Sequence, residues 1–189
     1  HNLIIIMNIP SLIMRFIPLR LIEWYESWVL KKDKRILNLI THLNREVVES
    51  IVERKLVRIF KLAAKSVPAY WDFLKSKKVN IDVIDSLNSF NSLVPTTTKD
   101  NYVDKYPIEK RCLYGKLPKH GNVDESAGST GIPTNWVRSS GEEAVLQKLI
   151  RFEFDYDLDG DKKDYIVLNT WSSGPWATGV KFSEIMQAY

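Results

Sequence analysis

The sequence predicts an α/β fold, with a helical amino-terminal segment followed by the start of a layered α/β domain. Three observations lead there. Apolar residues recur at helical spacing up to Val67. From about residue 110 the texture changes to strand-like runs and glycine turns. A capped helix then leads into Tyr165-Ile166-Val167-Leu168, a continuous apolar run of the kind a sheet buries on both faces.

The chain opens on Leu3 to Met14, apolar but shorter than the roughly 18 to 20 residues of a membrane span and interrupted by Pro10. It lacks the basic flank and small-residue cleavage site of a signal peptide. Phe16, Trp24, Tyr25 and Trp28 then alternate with Arg15, Arg20, Glu23 and Glu26. Such an amphipathic segment packs on the domain or lies on a membrane surface. Packing is the expectation, with peripheral membrane contact through residues 3–30 as the alternative.

Ile36, Ile40, Leu43, Val47 and Ile51 advance by three or four residues, a single helical stripe continued by Leu56, Phe60 and Ala63. Pro68 pushes Val67 out of the helical region, so the helix stops there and a short one follows over Ala69 to Leu74. Thr98 is suited to cap a helix through Tyr102, which Tyr106-Pro107 ends. Ser140 with Glu143 reads as a capping box for a helix bearing Val145, Leu149, Ile150 and Phe154. A last helix is expected from about Phe182. The domain division expected is 1–50 as a helical extension and 51–189 as the main domain.

Charge and rare residues narrow the function. With 27 basic and 23 acidic residues the net charge is +4, and the lysines and arginines from Lys31 to Lys65 read as a solvated helix face. No nucleic-acid-binding motif accompanies them, so no nucleic-acid partner is expected. One cysteine, Cys112, excludes a disulfide framework and fits a reducing, cytoplasmic setting. His1, His42 and His120 lie too far apart for ligand spacing, so no metal site is expected. Asp155, Asp157, Asp159, Gly160 and Asp161 imitate the opening of a calcium loop. The twelfth position, which needs a bidentate Glu, is Ile166.

The segment with chemical content is Ser126-Ala-Gly128-Ser129-Thr130-Gly131-Ile132-Pro133-Thr134. Glycines let backbone N–H groups approach an anion, and hydroxyls add donors to its oxygens. The lysine followed by Ser or Thr of a Walker loop is absent, and Ile132 stands in its place. Composition alone fits a flexible hairpin loop equally well.

This segment resembles the Ser/Thr/Gly-rich signature of adenylate-forming ligases, the superfamily of acyl- and aryl-CoA ligases. Val67-Pro68-Ala69-Tyr70, Leu93-Val94-Pro95-Thr96-Thr97-Thr98-Lys99-Asp100 and Tyr106-Pro107 are similar, in identity and order, to amino-terminal landmarks of the phenylacetate-CoA ligase family. Trp171-Ser-Ser-Gly174-Pro-Trp176-Ala-Thr178-Gly179 is similar to the aromatic-glycine segment lining that family's acid pocket. The resemblance runs from about residue 55 to Tyr189 and implies the amino-terminal part of an adenylation domain. It implies an acid–thiol ligase using ATP, Mg²⁺ and coenzyme A. Ser126, Gly128, Ser129, Thr130 and Gly131 would hold the ATP phosphates, and Trp171, Gly174 and Trp176 would shape the pocket. The family's adenine and ribose motifs and its catalytic lysine would lie beyond Tyr189, so the resemblance implies an incomplete enzyme, inactive alone. Two other readings stand beside it: acyl transfer to a protein acceptor, and a non-catalytic membrane-surface or partner-binding domain.

Overall fold

Asn44 breaks the long amino-terminal stripe into two helices. In the computed structural model, which describes residues 11–14, 16–42, 44–125, 133–160, 162–170 and 177–187, the chain forms two compact units, His1–Thr96 and Thr97–Tyr189. The expected division at residue 50 falls inside a helix of the first unit.

The first unit is helical. It contains α1 (Ser11–Met14), α2 (Leu19–Val29), α3 (Asp33–His42), α4 (Arg45–Ser66), α5 (Pro68–Ser76) and α6 (Leu87–Leu93). The single stripe expected from Ile36 to Ala63 is therefore two helices. Asn44 is extended, and its side chain accepts from the Glu46 backbone N–H at 2.8 Å, capping α4. The stripe is not buried throughout: Ile36 in α3 and Val47 in α4 are buried, while Ile40, in the same helix as Ile36, is 65% exposed. As expected, α4 stops before Pro68. Val67 is extended, and Pro68 opens α5, where a missing N–H costs nothing.

Packing in this unit has several centres. Met14, Ile22 and Val47 form a buried cluster. Arg54 holds that corner, donating to the carbonyls of Met14 at 2.7 Å and Ile17 at 2.6 Å. Phe73, Leu74 and Ile84 are almost wholly buried. Phe60 meets Tyr70 and Phe90 edge-on, with centroids 6.2 and 5.5 Å apart. Glu53 accepts from the Leu87 backbone N–H at 2.9 Å and so ties the start of α6 to α4.

In the second unit Thr98 caps a π-helical turn, Lys99–Val103, in a reciprocal box with Asn101. Two short 3₁₀ turns, Ile108–Arg111 and Leu113–Gly115, lead to an antiparallel hairpin of β1 (Gly121–Glu125) and β2 (Asn135–Ser139). Helices α7 (Ser140–Leu158) and α8 (Ala177–Gln187) complete it. The capping box sits one residue earlier than expected, on Ser139 and Glu142: Glu142 accepts from the Ser139 N–H at 2.7 Å. The last helix starts at Ala177, five residues ahead of Phe182.

The α/β class holds in its coarse form, mostly helix with one two-stranded sheet among the described residues. The expected strand at Tyr165–Leu168 does not form. Those residues are irregular, with Ile166 99% and Leu168 81% exposed. A strand buried on both faces needs neighbours for its N–H and C=O groups, and no strand among the described residues pairs with it. Tyr165 and Val167 are less exposed, at 42% and 46%. Tyr165 and Val167 line a hollow with Phe154 and Met186, and the Tyr165 ring meets Phe154 edge-on at 5.4 Å.

Candidate functional site

The hairpin sets the ends of the hydroxyl–glycine segment. Register runs from Gly121 opposite Ser139 to Glu125 opposite Asn135, so residues 126–134 connect two positions that face each other across the ladder. Close approach is built in at the far end: a Cβ on Gly121 would collide with the Arg138 carbonyl oxygen, so only glycine fits.

Burial along β1 inverts the usual pattern. Val123 is 61% exposed, whereas Asp124 is only 3% exposed. A buried carboxylate needs a partner, and Arg138 supplies it, with Nε 2.9 Å from Asp124 Oδ2. Asp124 lies directly opposite Trp136, and Arg138 is two residues further along β2, so the pair spans the hairpin diagonally on one face. This ion pair sits two residues before Ser126. Sequence reasoning missed it, because the pairing depends on a register that neither strand announces alone.

A second cation stands at the returning end. Arg111, closing the first 3₁₀ turn, donates from Nη1 to the Asn135 carbonyl at 3.3 Å. Its Nε is buried and has no hydrogen-bond partner among the described residues. Beside it, Cys112 is not an activated nucleophile. Burial pushes its thiol up, aided by Glu109 and opposed by Arg111, and the S–H donates to the Ile108 carbonyl at 3.3 Å.

Ser126, Gly128, Ser129, Thr130 and Gly131 lie outside the described residues, as do Trp171, Gly174 and Trp176. The landmarks that accompany them are placed. Val67–Tyr70 forms the junction of α4 and α5, Thr98 caps its turn, and Tyr106-Pro107 separates that turn from the next. The Tyr102 and Tyr106 rings meet at a tilt of 53°, with centroids 5.5 Å apart.

The described part of the acidic stretch runs from the end of a helix into a turn. Asp155 and Asp157 belong to the last turns of α7, and Arg151 lies 3.8 Å from Asp155. Asp159 ends the helix in the left-handed region at φ 54°. Hydrogen bonds from Lys162 and Lys163, at 3.0 and 3.3 Å, hold its carboxyl below the usual value. Asp161 is outside the described residues, and among the described residues no group of His, Cys, Asp and Glu is placed to hold a metal ion.

Comparison of the chain with protein-family models gives no match, and neither does comparison with curated proteins.

Proposed function

We propose that residues 126–132 bind the β- and γ-phosphates of ATP in an adenylate-forming ligase of the phenylacetate-CoA ligase type. The observation that carries this reading is the base of the hydroxyl–glycine segment. Its ends are paired across a hairpin, and a buried carboxylate bonded to a half-buried guanidinium stiffens that hairpin two residues from Ser126. A phosphate site works by presenting donors already oriented, so a rigid foot under a glycine-rich stretch suits it. A flexible connecting loop needs no buried ion pair.

In this reading the acid's carboxylate oxygen attacks the α-phosphorus of Mg·ATP and pyrophosphate leaves. The thiol of coenzyme A then displaces AMP from the acyl-adenylate. The hydroxyls of Ser126, Ser129 and Thr130 and the amides at Gly128 and Gly131 donate to phosphate oxygens. Ile132 offers no charge where the superfamily often carries lysine. Arg111, bonded to the carbonyl three residues further on, supplies a cation at the returning end. Trp171, Gly174 and Trp176 shape the slot for an aryl or acyl acid.

The test is acid-dependent ATP–pyrophosphate exchange by the ligase that carries this segment. Ser129→Ala combined with Thr130→Ala should slow exchange by at least about 100-fold, since each lost donor to developing charge costs roughly 10²- to 10³-fold. Melting temperature should change little, since the substitutions remove hydroxyls only. Wild-type exchange by the double variant would overturn the proposal.

A further inference from the structure

We propose that the helical first unit docks on an anionic membrane surface through the outward side of α2 and the turn before it. The inference is independent of the ligase reading. Helix α2 buries Ile22, Tyr25 and Val29 and turns Arg20, Trp24 and Ser27 the other way. Trp24 is 68% exposed, Leu21 at the edge of that side 56%, and Phe16 in the preceding turn 82%. Large apolar side chains held in water on one short segment are a standing cost that an interface would relieve.

Charge selects the occupant. The acidic residues of α2 are neutralised internally, Glu23 by Arg58 at 2.6 Å and Glu26 by Lys55 at 2.5 Å. Arg35 is engaged too, donating to the Trp28 carbonyl at 2.8 Å with its guanidinium 3.5 Å above the Trp28 ring. Arg20, Lys31, Lys32 and Lys34 remain exposed and make no ion pair among the described residues; Asp33 lies among the three lysines. Exposed tryptophan, leucine and phenylalanine on and before α2, with Arg20 among them and three exposed lysines just after the helix, suit the headgroup boundary of an anionic bilayer better than a neutral protein surface.

An apolar cavity adds an acceptor for a lipid chain. It holds about 280 Å³ and is lined by Leu21, Trp24, Leu39 and Ile51 among others, so the exposed side chains of α2 form part of its wall. An apolar cavity of about 150 Å³ is enough to take benzene, so this one has room for a segment of acyl chain. No helix among the described residues is long and apolar enough to cross a membrane, so the contact proposed is with the surface.

Sedimentation of the full chain with vesicles tests the proposal. The chain should pellet with an equal mixture of phosphatidylserine and phosphatidylcholine and stay in solution with phosphatidylcholine alone. Added salt should release it. Phe16→Ser with Trp24→Ser removes two largely exposed side chains, and should weaken binding about tenfold or more with an unchanged circular dichroism spectrum. Lys31→Gln with Lys32→Gln should weaken it roughly 25-fold, each lysine near a charged surface counting about fivefold. Equal pelleting with both vesicle types would overturn the proposal. So would undiminished binding by both variants, or a protein dimer that Trp24→Ser dissociates without any vesicle binding.

Discussion

The two units of this chain solve the burial problem differently. In the first, helices close on one another and bury Met14, Ile22, Val47, Phe60, Phe73, Leu74 and Ile84. In the second, Phe152 and Ile185 are the buried apolar residues among those described, and the most deeply placed group on the hairpin is a carboxylate. The difference separates stability from chemistry. A unit held by apolar packing tolerates exposed polar faces and changes little with a single surface substitution. A two-stranded hairpin is marginal by itself, so specific contacts such as Asp124 with Arg138 carry a larger share of its order.

Substitutions can break this comparison. The largest effect should come from Phe73→Ala in the first unit. Phe73 is 2% exposed, and truncating a buried phenylalanine costs about 3–5 kcal/mol. Thermal unfolding followed by far-ultraviolet circular dichroism should register that loss. A change below about 1 kcal/mol would mean that the helical unit is not held by this core.

A smaller effect is expected from Asp124→Ala in the second unit. Removing one partner of a fully buried ion pair costs about 3–5 kcal/mol. Arg138 keeps 34% of its side chain exposed, so water recovers part of the loss and about 2 kcal/mol is expected. Hydrogen exchange should localise the loosening to β1 and β2. Asp124→Ala with Arg138→Leu should recover some of it, because the orphaned guanidinium is gone. Unchanged exchange in Asp124→Ala would show the pair to be incidental to hairpin order.

The same contrast governs how far the sequence could be read. Proline and threonine act locally, so the end of α4 before Pro68 and the cap at Thr98 were legible from a few residues each. The break at Asn44 was hidden because the apolar spacing runs across it unchanged. Ser139 and Ser140 each have a glutamate three residues on, and only the end of the hairpin decides that Ser139 is the cap. The run Tyr165–Leu168 has the composition of a central strand, but strand formation depends on partners that no local pattern supplies. At the candidate site, the residue types of the loop were legible. The supporting pair Asp124–Arg138 and the placement of Arg111 at Asn135 were not, since both arise from cross-strand register and tertiary contact.

Hydrogen exchange of the chain with and without millimolar Mg·ATP tests the central claim most directly. If the 126–132 segment takes the phosphates, binding should be felt at the strand ends that flank it. The account predicts slower exchange for amides of β1 and β2 nearest Glu125 and Asn135, no change in α4, and loss of the effect in Ser129→Ala with Thr130→Ala. Exchange in the hairpin that is indifferent to nucleotide, or protection that survives the double substitution, would contradict it.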